Sequence, residues 1–140
     1  MRRADFPHML EITTRWMDND VYGHLNNVVY YSFFDTVVNR FLVKQGVLDI
    51  QKSQMIGLVV ETQCNYFSPI AFPDVVHAGL RVGHLGNSSV RYEIALFRND
   101  DDLASAQGFF VHVYVDRASS KPTPLPPELK RALTPLTGSA

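Results

Sequence analysis

The sequence has little cysteine, no excess of either charge and no long hydrophobic run, and each shortage excludes a class of protein. A single cysteine, Cys64, cannot form an intrachain disulfide, which excludes a small disulfide-stapled fold. The 13 basic and 14 acidic residues give a formal charge of −1, a poor match to a phosphate backbone, so no nucleic acid partner is expected. The apolar runs are far shorter than the ~20 residues that a membrane helix needs, so no membrane partner is expected either.

What remains is the composition of an ordinary globular domain. With 140 residues, 46% of them hydrophobic, the chain is expected to form one domain spanning 1–140. Five of the eight prolines fall in the last 19 residues. This predicts a core over about 8–117 and an extended, proline-rich tail over 118–140, with at most a short helix near 127–133. Nothing at the start is typical of a signal peptide, so a cytoplasmic location is expected.

The segment 26–46 has the periodicity of a helix. Apolar side chains recur three and four residues apart, at Tyr30, Phe33, Phe34, Val37, Val38, Phe41 and Leu42. Asn26 or Asn27 can cap the first turn, and Gly46 suits a left-handed stop. Further apolar residues leave only a narrow polar strip, so the helix needs cover over most of its circumference, which a curved sheet provides.

The rest of the chain alternates with the period of β-strands. The apolar faces of the five predicted strands are Leu10, Ile12, Thr14 and Trp16; Leu58, Val60, Thr62, Cys64 and Tyr66; Val76, Ala78, Leu80 and Val82; Val90, Tyr92, Ile94 and Leu96; and Phe109, Val111, Val113 and Val115. Gly86-Asn87 predicts an antiparallel hairpin between the third and fourth strands. The order predicts an α+β domain in which one long helix packs on a curved antiparallel sheet.

The segment between the first strand and the helix concentrates polar chemistry. Residues 18–27 contain two carboxylates, Asp18 and Asp20, together with an imidazole and carboxamides. A helix N-terminus presents unpaired N–H groups that can polarise a carbonyl, and a nearby carboxylate can act as nucleophile or as general base. The same residue types are also ordinary turn and cap residues, so the composition alone leaves both interpretations open.

This segment resembles the signature of hotdog-fold acyl-CoA thioesterases related to 4-hydroxybenzoyl-CoA thioesterase. The matching stretch reads Asp-Asn-Asp-Val-Tyr-Gly-His-Leu-Asn-Asn over 18–27, and the likeness continues through 65–70, Asp74 and 87–89. It covers about residues 8–117. The resemblance implies a hotdog fold, in which a curved five-stranded antiparallel sheet wraps one long central helix, and it implies hydrolysis of an acyl-CoA to free acid and CoA.

The resemblance also implies roles for single residues. Asp20 matches the family's nucleophile or general base, whereas Asp18 matches an acid that is more often structural. His24 and Asn27 are the other candidate catalytic residues, with loop support and helix capping as their alternatives. Four further residues are candidates for substrate binding: Gly23, Asn26, Tyr30 and Ser89.

No cofactor is implied, because CoA is part of the substrate, and the expected partner is a second copy in a homodimer or homotetramer. The turn at 86–88 lacks the basic residues that some relatives aim at the CoA phosphates, so other cations must serve: Arg91, Arg98, Arg117 or Lys121. Two other functions stay open, an acyl-thioester hydratase or dehydratase and a non-catalytic thioester-binding protein. A metal site is not expected, because the histidines lack metal-ligand spacing and His77 and His84 should face opposite sides of one strand.

Overall fold

The computed structural model describes residues 1–49 and 54–138, and in it one long helix packs against a five-stranded antiparallel sheet. The elements in chain order are β1 (His8–Thr13), α1 (Asn27–Lys44), β2 (Met55–Tyr66), β3 (Val75–Leu85), β4 (Ser89–Arg98), β5 (Ala106–Asp116) and α2 (Pro127–Leu133). The sheet order is β1-β3-β4-β5-β2, so β1 and β2 are its edges. The predicted α+β hotdog architecture is confirmed, including the antiparallel β3–β4 hairpin.

The helix α1 has the predicted caps and the predicted buried face. The Asn26 side-chain oxygen accepts a 3.0 Å hydrogen bond from the backbone N–H of Val28, and Gly46 has φ of 72° just after the last turn. All seven apolar residues of the predicted stripe are buried. They pack on the inner face of β3 and β4, whose predicted apolar residues are buried as well. The core is therefore the layer between α1 and the sheet.

Trp16 is not on the first strand, which corrects the prediction. The strand β1 ends at Thr13, and Trp16 begins a short 3-10 helix, Trp16–Asp18, with its side chain exposed. The cause is local, because the Asp18 carboxylate accepts a hydrogen bond from the backbone N–H of Arg15 and turns the chain off the sheet.

The predicted apolar face of β2 is also wrong, because the strand contains a β-bulge. The register against β5 shifts between Val59 and Glu61, which leaves Val60 as the extra residue. Leu58 consequently pairs with Val113 on the outer face, whereas Thr62, Cys64 and Tyr66 keep the helix-facing side. Most of β2 is exposed rather than half-buried, since it is an edge strand.

A second bulge corrects the placement of two histidines. The register of β3 against β4 shifts between Val82 and His84. Without this bulge, residues 77 and 84 would face opposite sides. With it, both His77 and His84 lie on the outer face, paired with Phe97 and Arg91.

The prediction for β5 is wrong about which face of the strand is in the core. The buried side chains beside α1 are Phe110, His112 and Tyr114, not the predicted set Phe109, Val111, Val113 and Val115, of which only Val115 is buried. The ring of Phe110 packs edge-on against Phe34 of α1. The valines fill the outer face, where alternation alone cannot tell inside from outside.

The C-terminal segment is folded onto the core rather than extended. The predicted short helix is present as α2, and Leu125, Leu129, Leu133 and Leu136 are all buried in the same core as α1. The segment is also tied to the sheet, because Thr123 N–H donates to the Tyr114 carbonyl. In the part of the chain that the structure describes, no helix has the length and apolar character needed to cross a membrane.

Candidate functional site

The loop between β1 and α1 is closed by its own backbone. Asp20 N–H donates to the His24 carbonyl at 2.8 Å, and Gly23 N–H donates to the Asp20 carbonyl at 3.1 Å. Asn26 N–H donates to the Asp18 carbonyl at 2.9 Å, and Leu25 N–H reaches the Ile70 carbonyl at 2.7 Å. These bonds hold the loop against the first turn of α1, so residues 18–27 form one closed loop at the start of the helix.

The two carboxylates of the loop have different surroundings. Asp18 is 1% exposed and accepts from the backbone N–H of Arg15 at 2.8 Å and from its guanidinium at 2.9 Å. Asp20 is half-buried, and its Oδ1 accepts only the backbone N–H of Tyr22, at 2.9 Å. The Oδ2 atom of Asp20 has no partner among the described residues. Asp18 therefore shapes the loop, and Asp20 keeps an oxygen free for chemistry.

Gly23 and His24 complete the exposed side of the loop. Gly23 has φ of 81°, a conformation that side chains disfavour, and an added Cβ would meet nothing within 4 Å. The glycine is therefore required by the backbone conformation and not by crowding within the chain. His24 is exposed, and its ring contacts no hydrogen-bonding group in the described residues. Its imidazole is available to a ligand that enters the loop.

The first turn of α1 offers one backbone N–H group. The Val28 N–H is satisfied by the Asn26 side chain and the Asn26 N–H by the Asp18 carbonyl. The Asn27 N–H has no acceptor in the described residues, and it opens the helix, where the backbone carries partial positive charge. Asn27 thus presents a hydrogen-bond donor suited to a carbonyl oxygen or an oxyanion.

Two tyrosines form the wall beside this turn. The ring of Tyr30 is buried and packs edge-on against Tyr66 at 4.8 Å. Burial raises the pKa of Tyr30, and the nearby charges of Cys64 and Asp20 raise it further, while a hydrogen bond with the Ile70 backbone opposes them. The Tyr66 hydroxyl donates to the Asn27 carbonyl at 3.1 Å. Tyr66 is absent from the predicted site residues, because alternation gives its face but not the reach of its hydroxyl.

Ser89 is not brought to the loop within one chain. It begins β4, whereas the loop adjoins the other end of that strand, where Arg98 donates to the Pro69 carbonyl. The ten residues of β4 separate the two ends by about 30 Å. Among the candidate cations, Arg98 is tied to the surroundings of the loop through this bond to Pro69. Arg91 is held by Glu93 and lies over the Phe109 ring.

Large apolar side chains surround the loop and are exposed. They are Trp16, Met17, Val21, Tyr22, Val28, Phe67 and Phe72. The rings of Trp16 and Phe72 are in edge-on contact, with centroids 5.9 Å apart. Exposed apolar side chains on a loop and on the segment beside it are typical of a binding or assembly region. Over residues 1–49 and 54–138, no group of three His, Cys, Asp or Glu side chains is arranged to hold a metal ion.

Comparison with known proteins gives consistent matches over nearly the whole chain. Residues 14–133 match the model of the thioesterase-like superfamily. The crystal structure of the PA5185 protein of Pseudomonas aeruginosa strain PAO1 is 55% identical, with a TM-score of 0.96, covering 99% of this chain and 97% of that one.

Two more distant matches also cover most of this chain. A thioesterase from Thermus thermophilus, solved in complex with coenzyme A and zinc, is 27% identical with a TM-score of 0.79, covering 97% of this chain and 98% of that one. The YsmA protein of Bacillus subtilis strain 168 is 24% identical over 131 residues, which are 94% of this chain and 88% of YsmA.

Proposed function

Because this chain belongs to the thioesterase-like superfamily, we propose that it hydrolyses an acyl-CoA thioester to a free carboxylic acid and CoA. The observation that carries the proposal is that one loop presents both a carboxylate oxygen of Asp20 and the helix N-terminal amide of Asn27, neither of which has a partner among the described residues. The thioesterase from Thermus thermophilus that binds coenzyme A supports CoA as the carrier.

In the proposed reaction, Asp20 supplies either a base or a nucleophile. As a base, its carboxylate takes a proton from water while the water oxygen attacks the thioester carbon, and the tetrahedral intermediate expels the CoA thiolate. As a nucleophile, its oxygen attacks directly and releases the thiolate, and water then hydrolyses the resulting anhydride. In both routes the thiolate is finally protonated to CoA, and water is the only co-substrate, so no cofactor is needed.

In this proposal the other loop residues stabilise the developing negative charge and orient the substrate and the water. The Asn27 N–H donates to the thioester oxygen as negative charge develops on it, and the exposed His24 imidazole binds substrate or orients the water. Gly23 holds the turn that aims Asp20, Asn26 caps the helix that carries the Asn27 amide, and the Tyr30 ring forms the wall of the acyl site.

The site is proposed to be completed by a second copy. The outer edge of β2 has no neighbouring strand among the described residues, and Leu58, Val59 and Val60 on it are 43%, 48% and 61% exposed. Tyr66 links this same edge to the first turn of α1, so a partner that covers β2 also covers the apolar surface around the loop. We therefore propose a homodimer as the minimal unit, which can pair further into a homotetramer, and Ser89 can reach a site only across such an interface.

Two finer features belong to the same proposal. Arg98, half-exposed and bonded to the Pro69 carbonyl and Asp101, is the cation best placed to meet the CoA phosphates. The location proposed is the cytoplasm, the compartment in which a free thiol such as Cys64 stays reduced.

The test is thiol release from short, medium, long and aromatic acyl-CoAs and from acyl carrier protein esters. Asp20→Asn is expected to lower kcat by about 10²-fold or more with unchanged thermal unfolding. Asp102→Asn, an exposed aspartate paired with Arg2 away from the loop, is the matched control and should keep full activity.

Incorporation of ¹⁸O into the Asp20 carboxylate after a single turnover in ¹⁸O water would demonstrate the nucleophile route, because only water attack on the Asp20 carbonyl of the anhydride places ¹⁸O there. Equal turnover of wild type and Asp20→Asn would contradict the role of Asp20. Absence of turnover on every ester would contradict the hydrolase and favour the dehydratase or binding alternatives.

A further inference from the structure

A cavity of about 620 Å³ lies between β1 and the C-terminal half of α1. Its volume is in the range of sites that hold small molecules. The side chains lining it are His8, Met9, Leu10, Asp35, Thr36, Asn39, Arg40, Phe41, Val43 and Lys44. None of them belongs to the loop 18–27, so the cavity is distinct from the candidate catalytic site.

The wall of the cavity toward β1 is apolar. Leu10 of β1 lies on the helix-facing side with Phe41 of α1, and the ring of His8 packs edge-on against Phe41 with centroids 4.9 Å apart. Burial and the neighbouring charge of Lys44 lower the pKa of His8, so its imidazole is neutral at pH 7. This part of the cavity therefore suits the hydrocarbon portion of a ligand.

The other side of the cavity carries two cations, Arg40 and Lys44. Arg40 and Lys44 are one helical turn apart on α1, both are exposed, and neither has an ion pair or side-chain hydrogen bond in the described residues. Like charges at this spacing repel each other. An anion placed between them would relieve that repulsion.

A single carboxylate, Asp35, also lines the cavity, toward the end opposite Lys44. It precedes Arg40 by five residues and Lys44 by nine, about 7.5 Å and about 13 Å along the helix. Burial raises the pKa of Asp35, which weakens its charge further at low pH. The charge at the Lys44 end of the cavity is therefore positive.

The cavity's cations also lie toward the other end of α1 from the proposed reaction site. Asn27 is the first residue of the helix, whereas Arg40 and Lys44 lie 13 and 17 residues further along, about 20 and 25 Å along its axis. A ligand in the cavity would thus leave Asp20 and Asn27 unobstructed.

We propose that this cavity is a second binding site, for a monocarboxylate with an apolar body. The carboxylate lies between Arg40 and Lys44, and the hydrocarbon part lies against Leu10 and Phe41. The assignment stands on the lining of the cavity and does not depend on the proposed hydrolysis. If both hold, the acid that hydrolysis releases is a ligand of the enzyme that makes it.

The test is calorimetric titration of the full chain with octanoate, compared with octan-1-ol as the uncharged ligand of equal length. Wild type is expected to bind octanoate saturably and octan-1-ol at least tenfold more weakly. The double variant Arg40→Gln/Lys44→Gln should weaken octanoate binding tenfold or more. Lys121→Gln/Lys130→Gln, which removes two cations outside the cavity, is the matched control and should bind like wild type.

Histidine NMR locates the bound ligand. Octanoate should shift the ring signals of His8 and leave those of His24 unchanged, because His24 lies in the catalytic loop. Val43→Trp, at an exposed position on the rim, should block binding without unfolding the core. Lack of saturable binding, equal affinity in the charge variant, or shifts at His24 instead of His8 would each overturn the proposal. None of these readouts uses turnover, so failure of the hydrolase proposal would be recognised separately.

Discussion

The Tyr66 hydroxyl and the Asn27 carbonyl are joined by a 3.1 Å hydrogen bond that ties the edge strand β2 to the first turn of α1. The amide of Asn27 is the unpaired donor of that turn among the described residues, so the bond fixes the peptide next to the proposed oxyanion donor. The ring of Tyr66 also packs on Tyr30, which makes the contact rigid on both sides. We therefore propose that Tyr66 is a positioning residue that acts through Asn27.

Tyr66→Phe should keep the ring contact and lose the hydrogen bond. A bond of this kind contributes about 0.5–1.5 kcal/mol, so kcat should fall by about 2- to 10-fold, with KM within about twofold of wild type. Steady-state kinetics on the best acyl-CoA check this. Tyr31→Phe is the control, because the Tyr31 ring packs on Phe34 and its hydroxyl makes no hydrogen bond in the described residues. A rise in KM alone would instead make Tyr66 a wall of the acyl site.

The difference between the two loop carboxylates predicts opposite phenotypes. Asp18→Asn should lower the free energy of unfolding by about 1–3 kcal/mol, because the buried carboxylate loses its charge-assisted bonds to Arg15. Asp20→Asn should leave stability within about 0.5 kcal/mol, since a single backbone N–H is bound to that carboxylate. Urea unfolding of both variants at one protein concentration measures this. Equal destabilisation by the two would show that Asp20 is as structural as Asp18.

Asn26 caps α1, and replacing it should lower the free energy of unfolding. Asn26→Ala should cost about 0.5–2 kcal/mol of stability, because the Val28 N–H loses its acceptor. Urea unfolding measures the loss, and Asn26→Ser, which keeps an acceptor, should restore most of it. If the activity of Asn26→Ser stays low although its stability returns, the side chain contacts substrate directly.

The sequence predicts the buried face correctly for the elements in which one face is clearly more apolar than the other. The stripe of α1 and the inner faces of β3 and β4 follow from spacing, because burial on one side leaves no other register. The presence of Asp20, His24 and Asn27 in one loop also follows from the sequence, since they are close along the chain, while their catalytic roles stay a prediction.

The predictions of buried strand faces that were wrong depend on information that alternation does not contain. In β2 the extra residue Val60 places Leu58 on the opposite face from the one that alternation predicts. In β3 the bulge before His84 likewise places His84 on the opposite face. In β5 both faces are largely apolar, so the pattern favoured the valines although His112 and its neighbours face α1. Contacts between residues far apart in the chain, such as Tyr66 with Asn27, can be seen only once the fold is known.

The placement of His112 in the core predicts a pH dependence of stability. Its ring is buried among Tyr92, Phe110 and Tyr114, and its Nε2 has no hydrogen-bond partner among the described residues. The hydroxyls of Tyr92 and Tyr114 bond to each other at 2.6 Å instead. Burial lowers the pKa of His112 from 6.5 to about 4. The native state therefore holds a neutral imidazole where the unfolded chain holds a charged one at mildly acidic pH.

Because the folded pKa is the lower one, the unfolded chain binds the extra proton as pH falls from 6.5 to about 4, and stability is lost over that window. Between pH 7 and pH 5 the loss from His112 alone should be about 2 kcal/mol. Urea unfolding of wild type and His112→Phe at both pH values checks this, and the aromatic replacement should lose most of the difference. His84→Gln, which removes an exposed imidazole on the outer face, should retain it. A wild-type stability that is equal at pH 7 and pH 5 would mean that the His112 imidazole is charged or solvated in the folded protein.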